Sequence, residues 1–248
     1  MQRFFIVISR RVEIIVAALC FILLVAHGFA EERNLSVVLV GDSTVADWSK
    51  EKPARGWGQV LAPLLAENVH LTNLAVCGAS TKTFPATGNW QRALELKPDF
   101  VLLQFGHNDS HSPDKPEATK AETEYASNLE HFVLEARAAG IVPVLVTPVH
   151  RRMFDPQGKP TGELGPYAEA MKQVAENLRV PLIDLYGSSG ALFTRLGEQG
   201  SATFTVSEQD RTHFTGEGAA AVAALVVEGM RTASPELALI VRGNPVPR

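Results

Sequence analysis

The chain is predicted to fold as an α/β domain: a central parallel sheet of about five strands, covered by helices on both faces as a three-layer α/β/α sandwich. Three observations predict it. Short runs rich in Val, Leu and Ile recur, amphipathic stretches separate them, and the links between the two are short. Each apolar run is largely continuous rather than alternating, which suits strands buried on both faces. The 248 residues, 46% hydrophobic and 20% charged, fit one globular domain and exclude a disordered or fibrous protein.

The elements follow in order. Strands are expected over residues 36–40, 69–74, 100–105, 141–146 and 181–185. Amphipathic helices are expected over 58–66, 90–96, 120–139, 167–177, 190–196 and 216–231. The third of these sets Tyr125, Leu129, Phe132, Val133 and Ala136 close to a 3.6-residue period. The segment from Pro235 onward is expected to be a C-terminal tail.

The first thirty residues differ from the rest. Arg3, Arg10 and Arg11 precede an apolar run over 14–26, and Gly28-Phe29-Ala30 follows with small residues at the positions a signal peptidase prefers. Residues 1–30 are therefore expected to be a secretory signal peptide, and 31–248 a single exported domain, periplasmic or extracellular. The alternative is an uncleaved anchor, but the run is 13 residues where a span needs ~20. A lipoprotein cut before Cys20 is disfavoured by the bulky Leu19. After cleavage no stable membrane association is expected. The net charge is −4, and −6 beyond Ala30, so no basic excess exists to hold nucleic acid. Cys77 is then the one remaining cysteine, which excludes an internal disulfide; it is expected to be a buried, inert thiol.

In such folds the reactive groups gather beyond the carboxyl ends of the strands. There stand Gly41-Asp42-Ser43-Thr44, then Ala75-Val76-Cys77-Gly78-Ala79-Ser80, then Gly106-His107-Asn108-Asp109, then Thr147-Pro148-Val149-His150-Arg151-Arg152. A serine nucleophile needs a neighbouring base. His213, in Asp210-Arg211-Thr212-His213, has a carboxylate three residues before it, placed to accept the Nδ1 proton and leave Nε2 facing a serine. The backbone N–H groups of Ser43 and Gly78 and the Asn108 amide are candidate donors to an oxyanion. The G-x-S-x-G elbow is absent, and these residues alone do not single out Ser43 among the serines. Asp42, Asp109 and His107 also admit a metal-site reading. The order Gly-His-Asn is the reverse of the metallophosphoesterase motif, and H-x-x-x-H at His107 and His111 has no Glu after the first His. No metal and no cofactor are expected, and Asp42 and Asp109 are expected to brace the strand-end turns.

Together these blocks resemble the SGNH (GDSL-type) hydrolase superfamily, and most closely the rhamnogalacturonan acetylesterase family. Gly41-Asp42-Ser43-Thr44-Val45-Ala46-Asp47, Arg55-Gly56-Trp57-Gly58-Gln59, Asn73-x-Ala75-x-x-Gly78-x-Ser80-Thr81, Gln104-Phe105-Gly106-His107-Asn108-Asp109 and Asp210-x-Thr212-His213-Phe214 carry the likeness, with Thr147-Pro148-Val149-x-Arg151-Arg152 as a sixth block. It covers roughly residues 36–230. The resemblance implies a flavodoxin-like sandwich, Ser43 as nucleophile, His213 as base and Asp210 as its partner. It also implies an oxyanion hole from Ser43, Gly78 and Asn108, and an acetylated polysaccharide or oligosaccharide as substrate. His107, Trp90, Phe214, Arg151 and Arg152 are expected to bind substrate, the two arginines as a clamp on uronate carboxylates. Core is the other reading for Trp90 and Phe214, as it is for Trp57. Two departures leave the exact polysaccharide open: Ala79 where many relatives carry Arg, and a short stretch over 200–209. A general short-chain acyl esterase and a non-catalytic carbohydrate-binding relative are the alternatives.

Overall fold

The computed structural model describes residues 33–243, and the fold lies in the unit that begins at Leu35. The signal peptide expected over residues 1–30 lies outside the described residues. Five parallel strands, β1 (Leu35–Gly41), β2 (Val69–Asn73), β3 (Phe100–Gln104), β4 (Val142–Val146) and β5 (Leu182–Ile183), stand in the order β2-β1-β3-β4-β5. The register sets Leu39 opposite both Asn73 and Leu102, and Leu103 opposite Leu145.

Successive side chains of a strand face opposite sides of the sheet. Val37, Leu39, Phe100, Leu102, Val144 and Val146 fill one core with α4 (Leu185–Gly200), α5 (Gly216–Ala233) and α6 (Pro235–Leu239). Their neighbours Val38, Val40, Val101, Leu103 and Leu145 fill the other, with α1 (Asn89–Glu95), α2 (Ala126–Ala138) and α3 (Gly165–Leu178). Both faces are covered, so the central strands read as unbroken apolar runs. The edge strand β2 is only half-buried, and β5 is two residues long.

Several elements differ from expectation. The stretch expected as a helix over 58–66 forms two 3-10 turns, Trp57–Val60 and Ala62–Leu64, the second carrying Pro63 in its first turn. The stretch over 120–139 opens with a π-turn, Ala121–Tyr125, before α2. The expected C-terminal tail is structured over its described part, residues 235–243: Ser234 caps α6 by accepting the Leu237 N–H, and Leu237, Ile240 and Val241 are buried in the core.

The strand order places a topological switch point between β1 and β3, where a crevice opens beyond the strand ends. Two glycines allow close approach there. A Cβ on Gly41 would sit 2.6 Å from the Gln104 carbonyl oxygen and 2.7 Å from a Val45 methyl, so the turn after β1 closes only around a glycine. Gly78, after β2, has φ +81°, a conformation that favours glycine.

Candidate active site

Ser43 stands two residues beyond β1, after Asp42. Its turn is closed by the Val45 and Ala46 N–H groups, which both donate to the Asp42 carbonyl at 3.1 and 3.0 Å. The Asp42 side chain doubles back, its Oδ1 accepting the Thr44 N–H at 2.9 Å and the Thr44 hydroxyl at 2.7 Å. Such a carboxylate loop fixes the backbone of the residue it encloses. The Ser43 Oγ lies 2.9 Å from His213 Nε2. His213 Nδ1 lies 2.8 Å from Asp210 Oδ2, and Asp210 Oδ1 accepts the backbone N–H groups of Thr212 and His213 at 3.1 and 2.9 Å. Partial burial acts to raise the Asp210 carboxyl, but the His213 and Thr212 contacts outweigh it and hold it below the ordinary carboxylate value. Asp210 thus stays ionised behind the imidazole, where it selects the tautomer with Nε2 facing Ser43.

Of the three candidate oxyanion donors, Ser43 and Asn108 line one cavity beside His213, while Gly78 stands in the exposed turn after β2. Asn108 follows β3 and donates one side-chain N–H to the Ala79 carbonyl at 2.8 Å, which fixes the amide and leaves its second N–H unspent. Neither the Ser43 nor the Gly78 N–H is used on a protein acceptor. A cavity of about 440 Å³ opens here, bordered by Ser43, His107, Asn108, His111, Arg151 and His213. Among the described residues no group of His, Cys, Asp and Glu side chains is arranged to hold a metal ion.

The residues assigned to substrate binding divide. Arg151 borders the cavity, tethered by its guanidinium to the His107 carbonyl at 3.0 Å. Arg152 does not: it is 3% exposed, donates to Ser201 Oγ at 2.9 Å and to the Glu198 carbonyl, and lies over the Phe154 ring. It ties two loops together, and the clamp expected of the pair loses one member. Trp90 is a core residue, 5% exposed, edge-on to Phe132 with its indole N–H on Glu135 at 2.6 Å. Phe214 is also core, 1% exposed, although it adjoins His213, because the backbone there alternates and sends its ring under the loop. His107 borders the cavity but is 2% exposed; its Nδ1 lies 3.3 Å from Asp42 Oδ2, which braces that carboxylate, and its buried Nε2 has no hydrogen-bond partner among the described residues. Trp57 is core, as one reading had it. Cys77 is exposed, not buried, because the turn before Gly78 carries it outward.

Trp48 escaped sequence reasoning. Its backbone N–H and carbonyl are both held by the Gln59 side chain at 3.2 and 3.1 Å. Its indole N–H donates to the Ser43 carbonyl at 2.9 Å, and its ring meets the His213 ring edge to face, centroids 5.1 Å apart. One side chain therefore braces both the Ser43 backbone and the His213 ring. The loop over 47–50 has no periodicity to mark it, and only the adjacency to Gly41-Asp42-Ser43 signalled its importance.

Fold and site define a class. Residues 39–221 match the GDSL-like Lipase/Acylhydrolase family, and the chain belongs to that family of hydrolases. It is 39% identical to the rhamnogalacturonan acetylesterase RhgT of Bacillus subtilis over 88% of this chain and 97% of that one. It is 40% identical to the probable rhamnogalacturonan acetylesterase YesY of the same organism, over 79% of this chain and 92% of that one. A solved B. subtilis structure, YXIM_BACsu, superposes with a TM-score of 0.71 at 28% identity, covering 80% of this chain and 56% of the other.

Two predictions follow from this geometry. Trp48→Ala removes one hydrogen bond and one ring contact, together about 1–2 kcal/mol, and should lower kcat/KM on p-nitrophenyl acetate roughly 5–30-fold. Trp48→Phe, which keeps a ring, should lose less; an unchanged rate in Trp48→Ala would show that the brace is idle. The second concerns Asp109. Burial pushes its carboxyl up to about 6, against the donors of Thr81 and Thr119. A carboxyl raised in the folded state binds its proton more tightly there than in the unfolded chain, so the folded state is favoured below the unfolded value and loses that advantage as pH rises. Stability should fall by about 2–3 kcal/mol between pH ~4 and ~7 through this group. Asp109→Asn should flatten that slope in denaturant titrations, and an unaltered slope would refute the assignment.

Proposed function

We propose that the protein is an exported serine esterase that removes O-acetyl groups from an acidic, pectin-type polysaccharide. The observation that carries it is the unbroken relay from Asp210 through His213 to Ser43, with contacts of 2.8 and 2.9 Å, at the mouth of an open cavity. His213 Nε2 takes the Ser43 proton as Oγ attacks the ester carbonyl. The carbonyl oxygen, now an anion, is received by the N–H groups of Ser43, Gly78 and Asn108. Collapse of the tetrahedral species expels the sugar oxygen, which leaves as a hydroxyl with the proton His213 held. Water, deprotonated in turn by His213, attacks the acetyl-Ser43, and acetate departs as Oγ recovers its proton. Asp210 holds the imidazole and offsets its transient positive charge.

Support for the sugar ester comes from the names of the relatives and from the charge at the cavity. Arg151 and Arg211 both border it in a chain of net charge −4. Such local cations offset the repulsion between an acidic protein and a polyuronate. Ionic pairing engages both in part, Arg211 with Glu198 at 2.8 Å and Arg151 with Glu163 at 3.9 Å. The general short-chain esterase uses the same relay and differs only in ignoring the sugar; the non-catalytic reading is disfavoured by a relay this completely assembled.

Ser43→Ala should leave the fold intact, since its Oγ is hydrogen-bonded only to His213. Release of acetate from acetylated pectin should drop by at least ~10³-fold. Substantial acetate release by this variant would overturn the reading, and equal rates for the wild type on acetylated pectin, xylan and a simple aryl ester would replace it with the general esterase.

A further inference from the structure

The cavity at Ser43 does not end at its own rim. It shares His111 with a neighbouring cavity of about 590 Å³, and that one shares Lys82, Thr123 and Glu124 with a third of about 410 Å³. The three form one trench from Ser43 to the start of α2. Acyl transfer to Ser43 needs none of the outer two, because the ester is spanned by the groups already described.

The middle cavity is built around Tyr167. The Tyr167 hydroxyl is held between the carbonyls of Thr119 at 2.6 Å and Asp109 at 2.9 Å. Its ring is steadied edge-on by the fully buried Tyr125, centroids 5.1 Å apart. It is half-buried, so part of the ring remains open to the cavity, flanked by Pro113 and Pro166. A rigid aromatic with one open side is a platform that loses little entropy when a flat apolar surface settles on it. The face of a pyranose ring offers such a surface. Around the platform stand Lys82, Lys120, Glu122 and Glu124, two cations against two anions. Neither ammonium is ion-paired among the described residues, and one Glu124 oxygen accepts the backbone N–H of Lys120 at 3.2 Å. Mixed donors and acceptors without net charge match hydroxyl groups rather than a carboxylate. His111 stands at the junction, held by Glu117 at 2.7 Å.

We propose that the two outer cavities form a distal subsite for the polysaccharide main chain, which takes an uncharged, hydroxyl-rich pyranose on Tyr167, away from the acetylated sugar. This rests on the esterase reading above. Binding there acts on a part of the substrate remote from the ester, so it serves to hold the chain in register over Ser43. Charge discrimination then falls to Arg151 at the inner end, and chain length to the outer trench.

The test uses the full chain and a series of singly acetylated oligosaccharides, from two to eight sugars long. For the wild type, kcat/KM should climb with length and then level off once the trench is filled. Thr123→Trp, which puts an indole where the two outer cavities meet, should cut the ratio of long- to short-substrate kcat/KM roughly 10-fold. Lys82→Ala should cut the same ratio by a smaller factor. A flat length series in a wild type that hydrolyses p-nitrophenyl acetate would overturn the subsite and leave the esterase reading standing. Equal losses on all lengths in both variants would also overturn it. Titration of the wild type with unacetylated eight-sugar fragments decides the matter independently of turnover. Tighter binding than by two-sugar fragments, lost in Thr123→Trp, supports the subsite, and equal binding of both lengths refutes it.

Discussion

The buried carboxylate of Asp42 is the constraint on which the site depends. It has no solvent exposure, and removing an ion from water costs several kcal/mol unless protein groups replace the lost hydration. The replacements are the Thr44 N–H and hydroxyl on one oxygen and His107 on the other. Burial acts to raise this carboxyl, and His107 and Thr44 reverse the effect, so it remains below the ordinary value. The network continues: Trp57 donates to Gln104, Gln104 to Thr44, and Thr44 to Asp42, each contact 2.7 Å long. Gln104 ends β3 and Trp57 opens a 3-10 turn, so the relay ties the turn that presents Ser43 to the next strand and to the segment packed over it. Every donor in it has one acceptor to face, which fixes the direction of the whole set.

Asp109 shows what happens without a histidine partner. It is as well hydrogen-bonded as Asp42, but its partners are neutral hydroxyl and amide groups, and the Asp42 charge adds repulsion. The two carboxyls are therefore driven in opposite directions, one held ionised, the other lifted to about 6. Asp109 in turn fixes the loops at Thr81 and Thr119, and its backbone carbonyl meets Tyr167. The crevice at Ser43 and the outer trench thus rest on two buried acids, Asp42 and Asp109. Trp48 completes the arrangement from the solvent side, joining the Ser43 carbonyl to the His213 ring.

Much of this was legible in the residues. Strands covered on both faces leave continuous apolar runs, and Gly, Asp, Asn and His gathered where those runs stop because the crevice must lie there. The relay of Asp210 and His213 was legible because three residues suffice to fold a carboxylate back onto a ring. The side chains around the crevice were harder. Trp90, Phe214 and Arg152 have the chemistry of sugar binding, yet each points inward, and residue type carries no information about which way a side chain turns. For Trp90 the helical phase held the answer, since Ala93, three residues on, is buried on the same side. For α6 the signal was Ser234-Pro235, a cap followed by a proline at the first helical position. For Trp48 and the ring of Tyr167, set edge-on to Tyr125, no local pattern existed, because Trp48 meets His213 and Tyr167 meets Tyr125 and Asp109 only in the folded chain.

The central claim is that Ser43, activated by His213, is the atom that receives the acyl group. Cys77 is an exposed competing nucleophile next to Gly78, so the claim is not trivial. The most direct measurement is peptide mass mapping after reaction with an alkyl fluorophosphonate, which traps the tetrahedral geometry on an activated serine. The relay predicts a single adduct on the peptide carrying Ser43, formed in the wild type and lost in His213→Ala, with Cys77 unmodified. An adduct elsewhere, or one on Ser43 that forms equally fast without His213, would contradict it.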